Sequence, residues 1–94
     1  MEINKKIRQK AHGIMKSIET MSESEKKKLP SMDFGENYNR LRAAVIENNN
    51  DLVSLVPPDV KFNDYGYEDH TDIKTTHRYS EIHTFCSEIY YLLE

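Results

Sequence analysis

Ile3-Asn4-Lys5-Lys6-Ile7-Arg8-Gln9-Lys10-Ala11-His12-Gly13-Ile14-Met15-Lys16-Ser17-Ile18-Glu19-Thr20-Met21 is the stretch that decides how the chain is read. Ile3, Ile7, Ala11, Ile14, Ile18 and Met21 recur at steps of three and four. At about 100° per residue they form one narrow stripe, which predicts an amphipathic helix with one buried face.

Beyond Met21 the chain is punctuated by caps. Ser22 to Glu25 has the pattern of a capping box and opens a short second helix through Lys26–Lys28. Leu29-Pro30 ends it, because proline disfavours helix in the residue before it. Asp33 with Glu36 offers the next N-cap and box. Phe34, Tyr38, Leu41 and Val45 then form a second stripe, weakened somewhat by Gly35 in its first turn. Asn48-Asn49-Asn50 should break this helix, with Asp51 capping one further turn from Leu52 to Val56 before Pro57-Pro58. A single helix running through to Val56 is the alternative, since Leu52 and Val56 keep to the same face. Thr71 or Asp72 can cap a last helix, whose apolar face is Tyr79, Ile82, Phe85, Cys86, Ile89 and Leu93.

Residues 59–70 read as an irregular connector holding Val60, Phe62, Tyr65 and Tyr67. Val60-Lys61-Phe62 has no evident partner strand and is read as loop. The expected fold is all-α, a compact three-helix bundle with short accessory turns, in one domain spanning 1–94. A chain of 94 residues can bury roughly two-thirds of its unfolded surface, enough for one modest core. Charged residues make up 31% of the chain and mean hydropathy is −0.78. Disorder is still set aside, because the apolar residues are periodic and Gly and Pro number three each.

One cysteine excludes an internal disulfide. The charged start does not read as a signal peptide, and no apolar run approaches the roughly 20 residues that span a bilayer. The expectation is a soluble cytoplasmic protein without membrane attachment.

Charge is uneven along the chain. The first 28 residues hold eight Lys/Arg against four acids, and the remainder five against twelve. Lys5, Arg8, His12 and Lys16 lie opposite the apolar stripe and are the candidate contacts for an anion or nucleic acid. The acidic balance elsewhere, with a pI near 5.8, argues against nucleic acid, and neither a helix-turn-helix nor a stacking pattern is evident.

Catalytic and metal signals are weak. His77 and His83 are six apart, about 120° around a helix, and the familiar zinc pair is i, i+4. His77 and Glu81 have that spacing, but as a single pair; with His70 the histidines read as surface residues. Cys86 falls mid-stripe and reads as core filler. The cluster Asp64, Glu68, Asp69 and Asp72 lacks the ligand order of a calcium loop. There is no phosphate loop and no nucleophile elbow. Catalytic, cofactor-binding and metal residues are therefore not assigned, and no cofactor is expected.

The other face of the last helix is more unusual. Ile73, His77, Ser80, Thr84, Ser87 and Tyr91 are small and hydroxylated in the middle and apolar or aromatic at both ends. A solvated face more often carries Lys and Glu. This face is the candidate protein interface, with a protein partner or a second copy as its cover. The function expected is a small non-catalytic protein–protein interaction module: an adaptor, regulator or partner-binding subunit. A nucleic-acid-binding regulator using the first helix is the alternative, and a small metal-dependent enzyme a distant third.

Overall fold

The computed structural model describes residues 2–64 and 73–94. The apolar stripe of the opening stretch forms α1 (Glu2–Glu19), which buries Ile7, Ala11, Ile14 and Ile18. Ile3 is 39% exposed at its start. Ser22 caps α2 (Glu23–Lys26): its hydroxyl accepts from Glu25 N, and the Glu25 carboxylate accepts from Ser22 N. This is the capping box the residues predicted.

Next comes α3 (Met32–Asn48), which buries Gly35, Tyr38, Leu41 and Val45. Its cap is Ser31 rather than Asp33; Ser31 Oγ accepts from Phe34 N at 3.4 Å. Ser31 follows Pro30 in extended backbone, so the chain is already turned for a cap two residues before Asp33. The asparagine break is present. Asn49 takes a non-helical backbone, and its amide donates to Val45 O, a carbonyl of the last helical turn. The further turn is a 3₁₀ helix, Asn50–Leu55.

The connector departs from expectation. Phe62–Asp64 (β1) pairs antiparallel with Ile73–Thr75 (β2) in the register Phe62↔Thr75, Asn63↔Lys74, Asp64↔Ile73. The partner strand lies in what reads, from the sequence, as the start of the last helix. Side chains of α3 prepare the strand by gripping the backbone that precedes it. Tyr38 Oη donates to Pro58 O (2.9 Å) and Arg42 Nε to Pro57 O (2.7 Å). The Asn39 amide exchanges two bonds with Val60, at 3.0 and 2.9 Å. Thr75 N donates to Pro30 O, which ties β2 to the turn before α3, and Thr76 N donates to Lys61 O, which extends the pairing with the β1 side. The fold is mostly helical with a small antiparallel hairpin, in place of the all-α three-helix bundle.

The last helix, α4 (Tyr79–Leu92), starts after β2. Arg78 is its N-cap position; Glu81 Oε1 accepts from Arg78 N at 2.9 Å. Thr71 and Asp72, expected as caps, lie outside the described residues, as do Tyr65, Tyr67, Glu68, Asp69 and His70. Ile82, Cys86, Ile89 and Leu93 enter the core with Val60 and the buried stripes of α1 and α3. Phe34 meets Tyr79 edge-to-face at 4.9 Å, and Tyr38 meets Phe85 at 5.9 Å.

The two glycines of the long helices have different roles. A Cβ on Gly35 would collide with Thr75 Cγ2 and lie 2.8 Å from Phe62 Cε1, so glycine is what lets the hairpin lie on α3. A Cβ on Gly13 would meet none of the described residues within 4 Å beyond the neighbouring backbone of its own helix. One substitution should therefore have opposite effects at the two positions. Gly35→Ala should cost about 1–3 kcal/mol by overpacking. Gly13→Ala should add up to about 1 kcal/mol by removing a helix-interior glycine. Urea unfolding followed by far-UV circular dichroism measures both; equal effects would mean that the hairpin does not rest on Gly35.

A basic-rimmed groove as the candidate functional site

Three flanks of α1 have separate fates. The central stripe is core. The flank carrying Arg8, His12 and Glu19 turns to α4. Arg8 Nε donates to Tyr90 O at 3.0 Å, and its guanidinium carbon lies 4.2 Å from the centre of the Tyr90 ring. In the last turn of α4, Leu93 N takes Ile89 O and Glu94 N takes Tyr91 O, while Arg8 supplies the donor for Tyr90 O. A cation suits that end of a helix, where the backbone dipole is negative. His12 lies against the same ring at 5.9 Å. At the other end of the pair His83 Nε2 is 2.8 Å from Glu19 Oε2. That bond, with Lys16 alongside, holds the Glu19 carboxyl below its usual range.

The basic stripe expected to contact nucleic acid is therefore divided. Arg8 and His12 are held on Tyr90, Lys16 pairs with Glu19 at 3.4 Å, and Lys5 is exposed. The candidate protein face is divided too. Ile73 is in β2 and His77 in the turn before α4, so neither belongs to a helical face. His77 instead stands edge-on to Phe85, and its carbonyl accepts from Thr75 Oγ1 at 2.6 Å. Ser80 and Thr84 are exposed, Ser87 is half-buried and Tyr91 is 63% exposed.

The third flank of α1 borders a groove of about 550 Å³ between α1 and α3. The two helices run antiparallel, and paired amides of Asn4 and Asn49 join the start of α1 to the end of α3. Ile3, Ile7, Ile14, Phe34, Leu41 and Ala44 give the groove an apolar floor, and Gly13 leaves room along the α1 side. Lys6, Lys10 and Arg40 stand on its rims, Asn37 and Ser17 supply neutral polar groups, and none of the lining residues is acidic. Among the described residues the three cations make no ion pair. Sequence reasoning missed this site. A signal was present: Lys6, Lys10, Gly13 and Ser17 step by four, three and four, so they form a face of their own beside the apolar stripe.

Little else in the described residues offers chemistry. Burial pushes the Cys86 thiol up to about 12, so it is not a thiolate at neutral pH. Burial also raises the Tyr38 phenol, which is engaged with Pro58 O. Among the described residues no three His, Cys, Asp or Glu side chains converge as metal ligands, and no helix is long and apolar enough to cross a membrane. No family model, no curated protein sequence and no solved structure matches the chain.

The Arg8 contact gives a test of how α1 is held. Arg8→Ala should lower stability by about 1–2 kcal/mol, the range for a hydrogen bond to a charged group with a stacked cation. Arg8→Lys should recover only part of it, because an ammonium does not reproduce the planar fork over the ring. Thermal unfolding of the two variants reads this out; full recovery by lysine would mean that charge alone matters.

Proposed function

We propose that the chain is a small non-catalytic protein–protein interaction module that holds its partner in the α1–α3 groove. The observation carrying this reading is the groove itself: an apolar floor beside cations that make no ion pair among the described residues, left open between two of the three long helices. The floor sets exposed Ile3 and half-buried Phe34 and Ala44 over the buried Ile7, Ile14 and Leu41, and a concave apolar recess with a polar rim is the usual form of a binding site. The expected interface on α4 gives way to this one, because two of its six residues lie outside the helix. The nucleic-acid alternative loses support because Arg8 and His12 are engaged by α4. A cytoplasmic setting suits the free, buried thiol of Cys86.

Photocrosslinking distinguishes the faces. With p-benzoylphenylalanine at Asn37, a groove residue on α3, a discrete protein adduct should form in the native cell. It should be lost when Gly13→Phe fills the groove. The same probe at Thr84, on the outer face of α4, should give none. Adducts from Thr84 alone would return the interface to α4, and adducts from neither position would remove the reading.

A further inference from the structure

The lining of the groove also restricts what can occupy it. Resting on the reading of the groove as the partner site, we propose that its occupant is an acidic amphipathic helix of a partner protein. Such a helix would have apolar residues at i, i+3, i+4 and i+7 and Asp or Glu along both flanks.

Length comes first. The lining residues on α1 run from Ile3 to Ser17, which at 1.5 Å per residue is a trough about 21 Å long, the length of a helix of about 14 residues. On α3 the lining runs from Phe34 to Ala44 at positions 34, 37, 40, 41 and 44, and on α1 at 3, 6, 7, 10, 13, 14 and 17. Both are helical ridges, so a third helix can seat its own ridge between them.

Charge comes second. The chain carries a net −3, yet the lining holds three cations and no acid. Lys6 and Lys10 are one turn apart on α1, and Arg40 stands across from them on α3. A lone carboxylate or phosphate headgroup would need them gathered at one point. Spread along both rims, they match a row of carboxylates on each flank of a helix. The apolar floor, with Phe34 as its single aromatic ring, does not suit a nucleic-acid backbone or a run of stacked bases.

Gly13 is the third observation. A helix-interior glycine costs about 1 kcal/mol against alanine, and apart from the neighbouring backbone of its own helix none of the described residues comes within 4 Å of where its Cβ would be. No contact among them requires it. About two-thirds of the way along the α1 side of the trough it gives an incoming helix backbone its point of closest approach, as small residues do at tight helix crossings.

A displayed library tests the occupant class. Helical peptides of about 16 residues keep apolar residues at the spacing above and randomise the flanking positions among acidic, basic and neutral residues. They are selected on the immobilised full chain. Enriched peptides should be rich in Asp and Glu and should weaken as salt rises. They should lose binding to Gly13→Phe and bind roughly ten-fold or more weakly to a Lys6→Glu/Lys10→Glu/Arg40→Glu variant, three exposed changes that leave the melting temperature in place. Enrichment of basic or neutral flanks, binding that survives both variants, or a library with no groove-dependent binder overturns the proposal. So does groove-dependent binding of a single-stranded oligonucleotide, or a dimer of this chain in sedimentation that Gly13→Phe dissolves. An Asn37 adduct that depends on the groove, found with no acidic preference, leaves the module reading standing and removes this one.

Discussion

The attachment of α1 to α4 is the constraint on which the rest of the arrangement depends. It is fastened at both ends, by Arg8 on the last turn of α4 and by Glu19 on His83 near its beginning. Along the same helix Ile7, Ala11, Ile14 and Ile18 share one buried core with Ile82, Cys86 and Ile89. The α1–α3 seam closes over the buried Ile7, Ile14 and Leu41, and the groove runs along its outer side. The Asn4–Asn49 pair keeps the seam joined at one end, so the opening is a bounded trough.

How much of this could be read from residues alone depends on the range of the interaction concerned. Helical spacing and caps are local, and they placed α1, α2, the stripe of α3 and the asparagine break. The burial of Cys86 followed from its position between Ile82 and Ile89. The hairpin escaped because its reasons are distant. Val60 and the carbonyls of Pro57 and Pro58 are gripped by Tyr38, Asn39 and Arg42, some fifteen to twenty residues earlier. Gly35 looks like a weak point in a helix; its role depends on Thr75 and Phe62. With β2 unrecognised, Ile73 and His77 fell into the last helix, and the expected face was drawn as one helical surface when two of its six residues lie outside α4.

The basic stripe was read as one surface for a related reason. A helical wheel separates a buried face from a polar face, but it does not divide the polar face between neighbours. Lys5, Arg8, His12 and Lys16 look like one cationic surface. In the fold Arg8 and His12 serve α4 and Lys16 serves Glu19. The cations that line the groove are Lys6 and Lys10, on the opposite edge of the apolar stripe, together with Arg40 from another helix. Only the packing of three helices brings those three charges to one place.

The pairing of α1 with α4 also sets the order in which this chain can become protected during synthesis. Arg8 and Tyr90 are 82 positions apart, and Glu19 and His83 are 64 apart. At about 5–20 residues per second, these residues of α1 leave the ribosome roughly 3–16 s before their partners on α4. For that interval its isoleucine stripe has no intramolecular cover from α4, and contacts this distant slow the final closure once α4 arrives. The dense lysines on the other sides of α1 are well placed for that wait: like charges keep nascent chains apart while the stripe is bare. The same residues that give the finished molecule its charged rim thus act earlier as a guard against association between unfinished copies.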